Sequence, residues 1–283
     1  MKVYDVFPFF NELDILEIRL EELYDVVDCF VLVESNLTFT GNSKPYIFEE
    51  NKERFSKYLD KIRHIKVEVV PETPDPWVRE KFQRIAGQRG LTDCTDEDFI
   101  IVSDCDEIPR AEMIEMIKED ENGYDRFLLY VPQFNFKLNY MKMLEASRHC
   151  QIVVSKHKVF TNPQQEREYT FFWTTKPENS VIVDHGGWHF TFIGDKDNSV
   201  KKFKSYSHTE KNLDEIINNF DIDWMIRNKT GFETTNKESF EYVVVDEYFP
   251  KYIANNQEKW RRFIIPGAVF HVEDLYRSLL PNR

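Results

Sequence analysis

The residues with the strongest chemical signature are two aspartates one residue apart, Asp104 and Asp106, directly after the apolar run Phe99-Ile-Ile-Val-Ser103. Two carboxylates in one turn can converge on a hard divalent cation, which takes oxygen ligands and keeps positions open for phosphate oxygens. Such a cation would neutralise a diphosphate leaving group, a Lewis-acid role without redox chemistry. The same spacing also serves helix caps and solvated turns. A second constellation is Gly186-Gly-Trp188-His189. Paired glycines permit close backbone approach, and His189 offers a nitrogen ligand for the same ion. Trp188 offers a stacking wall for a sugar ring; the plainer reading is a core tryptophan beside a satisfied histidine. A third is Glu34-Ser35-Asn36-x-Thr38-x-x-Gly41-x-x-Lys44, with polar groups suited to a base, ribose or sugar and Lys44 suited to phosphate. An ordinary turn is the alternative. The fourth, Arg79-Glu80-x-x-Gln83-Arg84, shares one helix face, where Arg84 serves either a phosphate clamp or an Arg–Glu network.

The segments around these residues alternate between strand and helix patterns. Val3–Phe10, Cys29–Ser35, Ile65–Val70 and Phe99–Ser103 read as strands, the last with the continuous apolar run of a strand buried on both faces. Asn11–Asp25, a charged stretch around Glu49–Ile62, and a segment from Trp77 to near Gly90 read as helices. Pro109 reads as the first helical residue of Arg110–Glu119. Repeated βα units of this kind predict an α/β fold with a mostly parallel, Rossmann-like central sheet. In such sheets ligands sit beyond the carboxyl ends of the strands, which is where Asp104 and Asp106 fall. After about residue 125 the pattern changes to strand-like Arg126–Val131 and Gln151–Val154, an aromatic stretch, and a charged helical tail. The expectation is one domain over 1–283, with a ligand-binding half at about 1–130 and a second half at 131–283.

Composition narrows the class. The 283 residues are 41% hydrophobic and 31% charged, a globular balance. The net charge of −13, from 37 basic and 50 acidic residues, argues against a nucleic-acid partner. It leaves room for a phosphate-bearing small molecule, since a bound cation reverses the local sign. Cys29, Cys94, Cys105 and Cys150 show neither metal-knuckle nor disulfide spacing. No apolar run approaches a membrane span and the first residues lack a leader pattern, so the expected location is cytoplasmic.

Taken together, the blocks at 9–23 (FFNELDILEIRLEEL), 26–45 (VVDCFVLVESNLTFTGNSKP), 99–109 (FIIVSDCDEIP) and 186–192 (GGWHFTF) resemble glycosyltransferase family 17. SYSHTE and FPKYIANN follow in the same order. The resemblance implies a GT-A-type nucleotide-sugar-binding fold, a divalent cation (Mn2+ or Mg2+), a UDP-sugar donor with UDP-GlcNAc the best choice, and inversion at the anomeric carbon. It also implies a glycan acceptor as the other partner. Asp106 matches the direct metal ligand, Asp104 the ribose or metal-water contact, and His189 the late nitrogen ligand. Glu34, Ser35 and Asn36 match the block that contacts the nucleotide.

An inverting transfer needs a carboxylate that takes the proton of the attacking hydroxyl. Glu145 is the first choice, because the GT-A-type fold that the resemblance implies tends to place the base between the metal motif and the late histidine; Asp184 and Asp195 are the others. Two competing classes are a metal-dependent phosphotransfer enzyme and a non-catalytic carbohydrate-binding protein. The first would place Ser or Thr soon after its aspartates, where this chain has Glu107-Ile-Pro109. The second rests on aromatic content alone, 15% with 24 Phe and 13 Tyr.

Overall fold

The computed structural model describes residues 1–143, 150–170, 177–208, 213–232 and 239–279. Their contacts divide the chain into two units: Met1–Val131 with His149–Gly187 and Ser205–His208, and Pro132–Arg148 with Trp188–Lys204 and Thr209–Arg283.

The first unit is built on β1 (Val3–Phe9), β2 (Cys29–Ser35), β3 (Ile62–Val67), β4 (Phe99–Val102), β6 (Arg126–Tyr130), β9 (Cys150–Lys156) and β10 (Ser180–Val183). They form one seven-stranded sheet in the order β10-β6-β9-β4-β1-β2-β3. β1 pairs in parallel with β2 and with β4, β2 with β3, and β10 with β6, while β9 runs antiparallel between β4 and β6. This is the mostly parallel α/β arrangement that the sequence leads one to expect. β5 (Glu107–Pro109) follows the acidic turn.

Alternation along β1 explains how the sheet is filled. Val3, Phe7 and Phe9 join Phe30, Leu32, Phe99 and Ile101 in the core under helix α1 (Leu13–Leu23), while Tyr4 and Val6 enter the cluster on the opposite face. Leu16, Leu20 and Leu23 of α1 are completely buried, each contributing about 1.5–3 kcal/mol. The opposite cluster takes Ala86 from α3 (Pro76–Ala86) and Leu91 after it. Asp75 caps α3 by accepting from the Trp77 amide at 2.9 Å, and Pro76 occupies the first turn, where no amide is missed.

Three expectations shift. The stretch expected as a helix over Glu49–Ile62 is a short helix α2 (Ile47–Glu50) and a 3₁₀ segment at Lys52–Tyr58, and β3 starts at Ile62 instead of Ile65. Phe48, Phe55 and Tyr58, buried at spacings of seven and three, would share one face of a continuous helix, but the backbone leaves helical geometry at Asn51 (φ −114°) and again at Phe55 (φ −104°). Pro109 ends β5, and Arg110, in an extended conformation, precedes α4 (Ala111–Lys118). A proline suits either position, since both forgo its amide hydrogen.

In the second unit, β12 (Phe240–Tyr242), β8 (Tyr140–Lys142), β7 (Gln133–Asn135) and β11 (Gly187–Thr191) adjoin in that order. Its core is aromatic: Phe134 packs on Phe190 and Phe249 at 5.4 and 5.3 Å, and Tyr140 stacks on Phe240 at 4.7 Å. Helices α6 (Lys196–Ser205), α7 (Ile222–Arg227) and α8 (Val272–Leu279) belong to the expected helical tail. Among the described residues no helix is long and apolar enough to cross a membrane.

Candidate active site

The turn Ser103–Glu107 leaves the carboxyl end of β4 in the middle of the sheet, and buried charge fixes its shape. Its floor is Arg19 of α1, whose side chain is wholly buried against Asp5 of β1. Nε and Nη2 of Arg19 donate to the two Asp5 oxygens at 2.7 and 2.5 Å, and Nη2 also reaches Ser103 Oγ at 2.8 Å. Nη1 donates to the carbonyls of Asp104, Cys105 and Glu107 at 3.1, 3.3 and 2.8 Å. Burial alone would disfavour the charge, but Asp5 outweighs it and holds the Arg19 pKa above its ordinary value.

Two further guanidiniums close the turn from α3 and from α5 (Pro163–Glu168). Arg84 donates to Asp104 Oδ1 at 3.0 Å, and Arg167 to Asp104 Oδ2 at 3.0 Å. Arg167 also takes both oxygens of Glu107, at 2.6 and 2.8 Å, and Glu107 in turn accepts from the Asp104 amide at 2.8 Å. Arg84 also meets Glu80 at 2.8 Å and Gln164 at 2.9 Å, the Arg–Glu network offered by the helix-face spacing, while among the described residues its Nε is buried without a partner. Residues 79 and 83 of the same helix bond to backbone: Arg79 to Phe39 and Thr73, Gln83 to Val33.

The loop after β2 is arranged differently. Glu34, entirely buried, is an anchor instead of an exposed nucleotide contact. Its Oε1 accepts from Lys44 Nζ at 3.3 Å and the Phe48 amide at 3.2 Å, and its Oε2 meets His64 Nε2 at 3.0 Å. Burial lowers the Lys44 pKa, with Glu34 pulling the other way. Ser35 Oγ accepts from the Leu37 amide at 3.1 Å. Asn36 Nδ2 donates to the Glu68 carbonyl at 3.3 Å, but Asn36 Oδ1 and the Tyr46 hydroxyl are buried without a partner among the described residues.

Gly186 and Gly187 allow the close approach expected of them. A Cβ at Gly187 would overlap the Ile108 carbonyl, and one at Gly186 would stand 2.5 Å from Leu129 Cβ. The Arg110 amide and Nε hold this bend through the carbonyls of Gly186 at 2.9 Å and His185 at 2.8 Å. Trp188 is a correction: only 1% exposed, it lies parallel to Phe190 and donates to the Tyr248 carbonyl at 3.1 Å. No ring face is left for a sugar. His189 is half-buried on β11, opposite Gln133 of β7.

Of the carboxylates considered as base, Glu145 lies outside the described residues. Asp184 is exposed in the turn before the glycines. Asp195 accepts from the Asn198 amide at 2.9 Å and caps α6.

The acidic turn supplies hard oxygen donors from Asp104, one third exposed at its side chain, and from the more buried Asp106. Among the described residues no group of three or more His, Cys, Asp and Glu side chains is placed to hold a metal ion. The two carboxylates are hard oxygen donors of the kind a divalent cation such as Mg2+ or Mn2+ takes, and such an ion would draw its remaining ligands from diphosphate oxygens and water. Asp104 is bonded to two guanidiniums, Arg84 and Arg167.

Sequence reading overlooked Asp5, Arg19 and Arg167. A signal existed for the first two: Arg19 falls on the Leu16–Leu20–Leu23 stripe of α1, and Asp5 interrupts an apolar strand. Arg167 stands in a charged run, Gln-Gln-Glu-Arg-Glu, that gives no such sign.

The model of glycosyltransferase family 17 matches residues 1–282. The chain belongs to glycosyltransferase family 17. Curated relatives are β-1,4-mannosyl-glycoprotein 4-β-N-acetylglucosaminyltransferases: the human protein is 31% identical over 129 residues, 43% of this chain and 24% of that one. The mouse protein is 22% identical over 290 aligned residues, 89% of this chain and 52% of that one. The chain thus spans from about a quarter to about half of the length of the relatives it matches. Among solved structures it is similar to a mannosyltransferase from Pyrobaculum calidifontis in complex with GDP-Man and Mn2+, at 12% identity and TM-score 0.39, over 64% of this chain and 56% of that one. It is also similar to glucosyl-3-phosphoglycerate synthase of M. tuberculosis, at 12% identity and TM-score 0.38, over 69% and 72%. Neither superposes closely enough for a residue-by-residue comparison. Within family 17, the blocks read from sequence coincide with the acidic turn, the β2 loop and β11.

Proposed function

We propose that this family 17 chain is a metal-dependent inverting glycosyltransferase that moves GlcNAc from UDP-GlcNAc to a hydroxyl of a glycan acceptor. The observation that carries the reading is the acidic turn at the end of β4, held by three guanidiniums in a chain matched to the family over nearly its whole length. Asp106 would hold the cation, with Asp104 beside it toward ribose or a metal-bound water. A divalent cation held there would supply charge neutralisation to the diphosphate leaving group. Asn36 Oδ1 and the Tyr46 hydroxyl, buried and unpartnered among the described residues, are the acceptor and donor offered to the nucleotide. The family block gives His189 the part of a nitrogen ligand, tested by loss of Mn2+ affinity in His189→Ala without a lowered melting temperature. Glu145 is proposed as the carboxylate that takes the acceptor proton, and Asp184 as the second choice.

The test is a screen of UDP- and GDP-sugars with Mn2+, reading thermal protection and release of nucleoside diphosphate. Selective protection by UDP-GlcNAc with metal-dependent release of UDP is expected. Preference for GDP-mannose overturns the donor. Release of inorganic phosphate instead points to phosphotransfer, and sugar binding without any release points to a carbohydrate-binding protein.

A further inference from the structure

Arg19 spends all its hydrogen-bonding capacity on one task. Of its contacts, two go to Asp5 in the middle of β1, and the others go to the turn that carries the aspartates: Ser103 Oγ and the carbonyls of Asp104, Cys105 and Glu107. Ser103 Oγ adds a link across the turn to the Glu107 carbonyl at 3.0 Å. The turn therefore takes its shape from a planar fork behind it, whose own orientation is fixed by Asp5 and by the Phe7 ring 4.4 Å below. A buried ion pair on this scale is a poor source of stability, because desolvating two charges offsets most of their attraction. Its retention between strand and helix calls for another role.

We infer that Arg19 is a positioning residue, which sets the separation and direction of the Asp104 and Asp106 carboxylates and thereby the affinity of the turn for a divalent cation. The inference rests on the metal-dependent reading above. Arg19 is placed to do this because it binds carbonyls on both sides of Asp106, so that the backbone between them cannot rotate without breaking its bonds. Lysine at this position would keep the charge and lose the fork: a single ammonium cannot satisfy Asp5, Ser103 and three carbonyls together.

The experiment is a titration of the full chain with Mn2+, alone and with UDP, read by the electron paramagnetic resonance of the free ion. It is applied to the wild type, Arg19→Lys and Leu20→Ala. Leu20, the next residue along α1, is fully buried and makes no contact with the turn's backbone through polar groups, so its truncation reports destabilisation alone. Arg19→Lys should weaken Mn2+ binding about ten-fold or more, as changes behind metal ligands do. Leu20→Ala should lower the melting temperature and leave Mn2+ affinity within about two-fold of wild type. Equal affinity in Arg19→Lys and wild type overturns the inference, as does an equal loss in Leu20→Ala. Should Arg19→Lys fail to fold, Ser103→Ala carries the same test, because it removes one arm of the fork and the link to Glu107 while Asp5 stays paired; unchanged Mn2+ affinity there overturns the inference equally. A wild type that takes up no Mn2+ with UDP overturns the functional reading itself, and is distinguished from the other outcomes by that fact.

Discussion

Two loops at the carboxyl edge of the same sheet solve opposite problems. The turn after β4 is over-determined, with its carbonyls, its first amide and the Asp104 carboxylate all bound to buried groups. The loop after β2 is held at its base through Glu34 and further out through Arg79 on the Phe39 carbonyl, yet among the described residues it carries two buried polar atoms without partners, Asn36 Oδ1 and the Tyr46 hydroxyl. A position that must hold charge in one geometry is built rigid beforehand. A position that recognises a ligand keeps hydrogen-bonding capacity in reserve, and the folded chain bears the cost of that reserve.

The sharpest way to break this contrast is at Asp106. Asp106→Ala should reduce metal-dependent turnover of the donor by about 100-fold or more while the melting temperature stays near wild type; near-normal turnover with unchanged Mn2+ dependence would remove Asp106 from the metal. Next comes Arg167→Ala, which strands Glu107 in a buried setting and should cost about 3–5 kcal/mol in denaturant unfolding. A loss below 1 kcal/mol would mean that the turn is not held as tightly as described. Gly187→Ala forces a methyl group against the Ile108 carbonyl beside this turn and should cost about 1–3 kcal/mol, with no local relaxation available from a flexible side chain.

Tyr46→Phe gives the smallest and most telling effect. Removal of an unpartnered hydroxyl should leave stability unchanged or raise it by about 1 kcal/mol, while UDP affinity in calorimetry falls by about 3- to 10-fold. A fall in stability with unchanged UDP affinity would show that the hydroxyl serves the fold. Burial also holds the Tyr46 phenol above its ordinary pKa. The folded chain thus retains a proton that the unfolded chain releases near pH 10, and wild-type stability should decline relative to Tyr46→Phe as pH rises beyond about 10.

The elements that frame both loops were legible because each has one dominant local pattern. Phe99–Val102 is continuously apolar, α1 repeats leucines at helical spacing, and Pro76 after Asp75 marks the start of α3. The Asp104–Asp106 pair was legible from its position after such a strand. What sequence could not deliver was pairing over distance: Arg167 reaches Glu107 from 60 residues away and Arg84 reaches Asp104 from 20. The residues between 47 and 58 misled for a different reason. Their charges and the spacing of Phe48, Phe55 and Tyr58 both suit one helix, but the backbone departs from helical geometry at Asn51 and again at Phe55. Trp188 misled in the other direction, since an indole suited to stacking on a sugar is equally suited to a core with a carbonyl in reach.

The place of β9 has a consequence for how the chain comes off the ribosome. β1 to β4 can assemble as soon as about the first hundred residues have emerged, because β1 pairs with β2 and β4, and β2 with β3. β6, although synthesised next, has no partner in that group: it joins the sheet only through β9 and β10, which come at residues 150–156 and 180–183. The nascent protein therefore waits with the outer edge of β4 unpaired, an apolar edge of the kind that invites association with other chains. Its acidic end remains without Arg167 until residue 167 has been made. A fragment ending near residue 131 would carry most of the sheet in sequence and yet expose that edge permanently, and its expected fate on expression is aggregation rather than a soluble half-enzyme.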